Sequence, residues 1–413
     1  MNRNLALIIA GQGISNLGDF LYSQTLLIWV FTLAPGSAAV SAVTAVQSLP
    51  VLLIGPFAGI FIDRWNRRQT MIAANLGQAV LPLLPLIVPA VIRLPAIYAS
   101  VSLIFTLGTF TTSANSGLLQ VVVESKQLPQ AVSFNQTAFT LSSILGSFLA
   151  TPLYLTVGPA MALLINATSF LLSALCLSLV RAPREALHPY AFRKDKSEVR
   201  GVEGVFRDLI AGFRFIITTR LLLMVCVVVC VALLGAGALQ SLNIVFLSKQ
   251  LHMKSTFAGF LLSALGMGIL VGLMGAGLIA RRLAPKYLFT ISILLLGVGV
   301  IIYSFQAVFP LALIVIFIIG TQQGGSQLGY LSILLGTTPE TMIGRVQSAV
   351  QMCVAGMAIV SASLAGYLGQ VLPVNRIFTI SGILIVSAGL FGWLILRAST
   401  KKGAESTRNS VLL

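Results

Sequence analysis

Asp19 is the residue whose type and surroundings most directly predict chemistry. It is the only charged residue in the segment 5–62. Gln12, Asn16 and Ser23 follow helical spacing around it, so the four side chains share one face of a helix. A carboxyl in a long apolar segment is a candidate for proton exchange near neutral pH, and we predict that Asp19 carries protons. The alternative is a structural carboxyl that only hydrogen-bonds a neighbouring helix.

The segments that must position Asp19 are too apolar for a soluble protein. Of the 413 residues, 57% are hydrophobic and 9% are charged, whereas a soluble chain of this length has about 25% charged residues. A membrane-spanning helix needs about 20 apolar residues, and a barrel strand would be about half as long with alternating polarity. We therefore predict an all-α membrane protein with twelve transmembrane helices. Segments 5–62, 127–180 and 287–339 hold two helices each, and one helix each is expected in 69–92, 94–123, 221–248, 255–280, 346–375 and 377–396.

One charged segment divides these helices into two six-helix halves. Residues 181–220 form the predicted linker between a first half at 1–180 and a second half at 221–397. From Val205 to Ile217 apolar residues recur at helical spacing, which favours an amphipathic helix at the membrane interface. A solvated connector is the alternative. Residues 398–413 are polar and predict a short, disordered cytoplasmic tail.

The net charge of +16 is distributed as a topology signal. Of the 26 Lys and Arg residues, 22 fall in the loops and termini on one side of the predicted membrane. The positive-inside rule then places both termini in the cytoplasm. The expected partners of these basic residues are anionic lipid head groups, and not nucleic acid.

A glycine, an acid and three arginines stand between the second and third predicted helices. They are Gly59, Asp63, Arg64, Arg67 and Arg68. Glycine permits close helix approach, and an acid at a helix amino terminus is stabilised by the helix dipole.

A second copy of this pattern follows the eighth predicted helix. Gly277, Arg282 and Lys286 correspond to the first glycine and two of the arginines, while Arg281 replaces the acid. The chain is therefore built from two related halves, as expected of a transporter with a site between its repeats.

Twelve helices in two related halves, with this motif after the second helix, resemble the major facilitator superfamily over essentially the whole chain. Further segments resemble its drug-exporter branch, which includes bacterial macrolide and siderophore exporters. These segments are Asn16-Leu17-Gly18-Asp19, Leu49-Pro50, Gly55-Pro56-Phe57-Ala58-Gly59 and Met71-Ile72.

The resemblance implies a conformational latch at the motif. Asp63 would meet the start of the eleventh helix, near Arg345, when the cytoplasmic side is closed. Gly59, Arg64, Arg67 and Arg68 would form the rest of the latch. The alternative is a plain basic loop with one charge-balancing acid.

The resemblance also implies that the first, fourth, seventh and tenth helices line a central cavity. Polar residues on these helices are the candidate substrate contacts, and hydrogen bonding between helices is the alternative for each. The candidates are Asn16, Asn115, Gln240, Asn243, Gln323, Gln327 and Tyr330.

The four cysteines predict packing and no metal site. Cys226 and Cys230 stand one helical turn apart, and we expect no third ligand nearby. Nothing resembles a phosphate-binding loop or a nucleophile with its base, so we expect neither an enzyme nor a cofactor.

The function that these observations predict is secondary active transport in the bacterial inner membrane. The expected substrates are lipophilic small molecules, neutral or singly cationic, because all Lys and Arg residues lie in loops or at helix ends. Export by proton antiport with alternating access, performed by a monomer, is the favoured mechanism. An uncoupled facilitator or importer of a neutral solute is the alternative, followed by a non-transporting receptor or lipid-binding scaffold.

Overall fold

The computed structural model describes residues 3–123, 127–180, 202–280, 282–339 and 342–411, and their regular structure is helical. The first half contains α1 (Arg3–Leu33), α2 (Ser37–Leu53), α3 (Gly55–Arg64), α4 (Arg67–Val80), α5 (Leu84–Ile87), α6 (Arg93–Val122), α7 (Leu128–Val157) and α8 (Pro159–Ser178). After α9 (Val202–Thr218), the second half contains α10 (Arg220–Lys249), α11 (Ala258–Ile279), α12 (Pro285–Ser304), α13 (Phe309–Thr337), α14 (Ile343–Val371) and α15 (Val374–Val411).

Twelve segments of the described chain can cross a membrane. Ten of them are continuous, long and apolar. The other two are the first two crossings, which differ from these ten in different ways. α1 is a continuous helix whose apolar sequence is interrupted by the polar stripe around Asp19. The second crossing is divided because Pro56 lies at the start of a new helix, α3, directly after α2. The predicted all-α membrane fold with twelve transmembrane helices is confirmed.

The two halves are joined by close contacts on the side of the membrane opposite the linker. We call this the far side, and the side where α8 ends and α9 begins the linker side. At the start of α2, Ser37 Oγ donates a hydrogen bond of 3.0 Å to the carbonyl of Gly366 near the end of α14. At the end of α7, Thr151 Oγ1 donates to the carbonyl of Thr256, just before α11. The second and fifth crossings thus pack on the eleventh and eighth crossings.

The helix α9 packs across the linker side. Its Asp208 forms an ion pair of 2.9 Å with Arg345 at the start of α14. Its Phe206 ring lies 5.5 Å from the Phe57 ring of α3, in the first half. Leu209 is buried, whereas Phe206 and other apolar side chains remain exposed. An exposed apolar face is expected for a helix at the membrane interface.

The disordered tail expected at 398–413 is a wrong prediction for its described part. The last helix continues to Val411. The segment contains no proline, and Lys, Ala, Glu and Arg are favourable helix formers, so polarity alone did not end the helix.

Candidate functional site

A cavity of about 390 Å³ lies inside the second half, between α10, α11, α12, α13 and α14. Most of its wall consists of Val, Leu, Ile, Ala and Phe side chains, and none of its lining side chains is charged. Its polar lining residues are Gln240, Asn243, Gln323, Ser326, Gln327, Tyr330 and Gln351. Such a wall suits an apolar ligand that is oriented by a few amide contacts.

Glycines beside the glutamines of α13 let this helix lie directly against α11, which forms part of the same cavity wall. Gly320 and Gly324 lie against Gly268 and Gly272 of α11. A Cβ added at Gly324 would stand 2.4 Å from the carbonyl oxygen of Ile269, so the two backbones meet directly. Gln323 and Gln327 follow Gly320 and Gly324 by three residues, so they border the contact with α11 and line the cavity next to it.

This packing leads to a stability prediction. Gly324→Ala should destabilise the protein by about 1–3 kcal/mol, because the added methyl group collides with the backbone of α11. Gly275→Ala is the matched control, since a Cβ there meets nothing within 4 Å. Both variants gain the same helix propensity, so the difference in melting temperature of the purified proteins reports the packing. Equal melting temperatures would contradict the close contact between α11 and α13.

Asn243 lies in the cavity wall and also forms a hydrogen bond between two helices, which was the alternative role for the candidate residues. Its Oδ1 accepts a hydrogen bond of 2.7 Å from the Tyr303 hydroxyl on α12. The Tyr303 ring packs against Phe246, with ring centres 4.9 Å apart. This end of the cavity is therefore held by a bond between two helices.

Two polar lining residues were missed from the sequence. Gln351 is on the eleventh crossing and Ser326 is on the tenth. The superfamily resemblance implies that the first, fourth, seventh and tenth crossings line the cavity, and Gln351 is on none of these. The available signal was a glutamine in the middle of the uncharged segment 346–375.

The first-half candidates do not line this cavity. Asp19 and Asn16 are half-buried on α1, and Asn115 is buried on α6. Asp19 lies close to Asn166 on α8 and to Tyr22 one turn along α1.

Glycine again explains the position of Asp19. A Cβ added at Gly18 would lie 2.2 Å from Ser169 Oγ, so α1 and α8 touch at the level of Asp19. Tyr22 continues the polar contacts with a 3.4 Å hydrogen bond to Ser100 Oγ, which donates to the carbonyl of Leu81. The carboxyl thus lies beside polar groups of α8 and of its own helix, an arrangement that serves proton exchange and structural hydrogen bonding equally well.

The motif after the second crossing is described only in part. The side chains of Asp63 and Arg64 and the surroundings of Gly59 are outside what the structure describes. Arg67 Nη1 donates a hydrogen bond of 2.9 Å to the carbonyl of Gly117. Arg68 donates to carbonyls at the end of α8, including that of Leu177 at 2.9 Å.

These arginine contacts stay within the first half. A guanidinium at the carboxyl end of a helix satisfies free carbonyls and interacts favourably with the helix dipole. Arg345, the expected neighbour of Asp63, forms an ion pair with Asp208 of α9. The latch therefore stays a prediction, and Arg67 and Arg68 have a definite structural role.

Three of the four cysteines meet at one place. The sulfur atoms of Cys226, Cys230 and Cys353 lie within 4.8 Å of one another. The expectation that Cys226 and Cys230 have no third ligand nearby is therefore wrong, because α14 packs on α10 and brings Cys353 to them. Cys176 is separate and packs against Gly11 of α1.

A helical membrane fold with two halves and an internal, mostly apolar cavity that carries a few polar groups is typical of a transporter of the major facilitator type. The chain matches the family described as transmembrane secretion effector over residues 2–410, and it belongs to that family. The solved nucleoside transporter NupG superposes with a TM-score of 0.76 at 13% identity, covering 95% of this chain and 99% of its own, which shows the shared fold.

Three curated relatives agree with this assignment. The uncharacterized MFS-type transporter YfiS of Bacillus subtilis is 26% identical, over 98% of this chain and 95% of its own length. The multidrug efflux pump Tap of Mycolicibacterium fortuitum is 24% identical, over 77% of this chain and 78% of its own. The enterobactin exporter EntS of Citrobacter koseri is 25% identical, over 84% of this chain and 79% of its own length. The chain is therefore a multi-pass membrane transporter related to exporters.

Proposed function

We propose that this protein is a secondary active exporter of lipophilic small molecules, driven by exchange with protons. The observation that carries the substrate class is the cavity wall, which is apolar and contains amide and hydroxyl groups but no charged side chain. The efflux activity in the names of Tap and EntS supports the direction of transport.

Proton coupling rests on Asp19. It is the only acid in the membrane-spanning part of the sequence, and it lies half-buried between polar groups of neighbouring helices. One proton moving inward releases about 2.3 kcal/mol per 100 mV of membrane potential. For a neutral substrate this supports a concentration ratio of about fiftyfold at one proton per molecule.

The proposed setting is the bacterial inner membrane, with both termini and the linker side in the cytoplasm. The basic residues concentrated on that side would bind anionic lipid head groups and not nucleic acid. The far-side contacts of Ser37 and Thr151 support a cavity that is reached from the cytoplasm in this arrangement. We propose a working monomer, with a small molecule and protons as its partners.

The expected substrates are neutral or singly cationic amphiphiles. A multiply anionic ligand would leave unpaired charge in the cavity, which costs several kcal/mol. Growth and accumulation assays in an efflux-deficient host should therefore show protection against neutral macrolides and cationic dyes, and little export of a trianionic catecholate. Gln323→Glu keeps the size of the side chain and should shift the preference toward cations.

Efficient export of the trianionic catecholate would contradict this substrate class. The outcome is informative because the relatives differ, one being named for multidrug efflux and the other for enterobactin. Protection that is unchanged in Gln323→Glu for every substrate would show that the cavity in the second half is not the transport site.

A further inference from the structure

The three-cysteine cluster lies next to the proposed transport cavity. Cys226 and Cys230 occupy one face of α10, and Cys353 comes from α14. Their sequence neighbours Val229 and Val354 line the cavity. Cys226 follows the start of α10 by six residues, or about 9 Å of helix. The cluster therefore lies at the linker-side end of the cavity.

The arrangement suits one central atom bound by three sulfurs. The sulfur atoms lie within 4.8 Å of one another, and all three side chains are half-buried. With bonds of about 2.3 Å to a central atom, the sulfurs would be about 4 Å apart around a planar centre and about 3.5 Å apart around a pyramidal one. The sulfurs would therefore move about 1 Å closer together when such an atom binds.

A fourth group next to the cluster has an unused hydrogen-bonding atom. Tyr330 lines the cavity and is within electrostatic range of Cys226. In the described part of the chain its buried hydroxyl has no hydrogen-bond partner. A phenol without a partner is the kind of group that serves as an outer-shell donor around bound metals.

The charge balance selects the class of ligand. Three thiolates carry three negative charges. The cavity wall beside them has no charged side chain that could neutralise any negative charge left after an ion binds. A monovalent ion would leave two negative charges and a divalent ion would leave one, each at a cost in an apolar surrounding. A trivalent centre gives a neutral complex.

We propose that Cys226, Cys230 and Cys353 form a binding site for a trivalent thiophilic metalloid of the arsenite or antimonite class. The neutral trihydroxide exchanges its three hydroxyl groups for three thiolates, and each thiol proton leaves in a water molecule. Three metalloid–oxygen bonds break and three metalloid–sulfur bonds form, without oxidation or reduction. The neutral trihydroxide is also the kind of uncharged solute that the cavity admits, although binding itself does not depend on transport.

The test is a titration of the purified, reduced full-length protein with sodium arsenite. We expect one arsenic per chain and protection of three cysteines from maleimide. Cys226→Ser, Cys230→Ser and Cys353→Ser should each weaken binding by roughly a hundredfold or more, because one of three sulfur bonds is lost. Cys176→Ser is the matched control and should bind like the unchanged protein, since Cys176 lies apart on α8.

Competition with Zn²⁺ and Cu⁺ decides the ligand class. Arsenite should be retained in the presence of either ion at equal concentration. Loss of bound arsenic to Zn²⁺ or Cu⁺ would overturn the charge argument, and unprotected cysteines in a correctly folded protein would overturn the site. Size-exclusion profiles of the serine variants confirm folding, and none of these readouts requires substrate export.

Discussion

Asp19→Asn should abolish uphill efflux while leaving downhill exchange of substrate intact. The amide keeps the size and hydrogen-bonding capacity of the carboxyl but cannot take up or release a proton. The concentration ratio maintained under 100 mV should therefore fall from about fiftyfold to unity. The measurement is substrate efflux from proteoliposomes under an imposed pH gradient, with and without a membrane potential.

Two further variants test whether the effect depends on the carboxyl group of Asp19. Asp19→Glu retains a carboxyl and should keep partial coupling with a shifted pH optimum. Asn166→Ala removes the polar neighbour on α8 and should alter the pH dependence without abolishing accumulation. If Asp19→Asn accumulates substrate at the unchanged rate, Asp19 is structural, and coupling must use a loop carboxyl such as Asp63 or involve no proton.

Locking the far side should stop transport. A Cβ added at Gly366 would stand 3.0 Å from the Cβ of Ser41, which joins α14 to α2 across the two halves. Disulfides have Cβ separations of about 3.5–4.5 Å, so a small adjustment permits a bond in the double variant Ser41→Cys/Gly366→Cys. Because alternating access opens this side in every cycle, oxidation should lower the transport rate at least about tenfold.

The single variants Ser41→Cys and Gly366→Cys are the matched controls, and a reducing agent should restore the rate of the double variant. The native Cys353 is on the same helix as Gly366 but more than three turns away, so it does not compete for the bond. If the oxidised, crosslinked protein transports as fast as the same variant after treatment with a reducing agent, opening between α2 and α14 is excluded.

The transmembrane organisation could be predicted from the sequence because it depends on local information. Long uncharged segments identify helices wherever they occur. The orientation expected from the bias of Lys and Arg residues between loops stays a prediction. The division at the linker depends on the same signal, since residues 181–220 are charged and their neighbours are not. Even the irregular second crossing follows from Pro56, which starts a new helix.

The position of the cavity could not be predicted in this way. Five of the predicted lining residues come together inside the second half, whereas Asn16 and Asn115 do not reach them. Which face of a helix looks into a cavity depends on its packing partner. For α13 that partner is α11, chosen through direct backbone contact at Gly324 and Gly272.

The cysteine cluster also depends on helix packing and could not be predicted from the sequence. Cys353 is distant in sequence from Cys226 and Cys230, and only the packing of α14 on α10 brings the three sulfurs together. The ion pair between Asp208 and Arg345 likewise depends on where α9 lies. Contacts between distant segments carry no periodic signal in a single sequence.

The most direct test of proton-driven export is the movement of protons and substrate across the same vesicle membrane. Purified protein in proteoliposomes, loaded with a pH-sensitive dye, should show a proton flux that starts on addition of substrate and scales with its transport. An imposed proton gradient should in turn move substrate against its own gradient. Substrate that equilibrates without any proton flux, or binds without crossing the membrane, would contradict proton-coupled export.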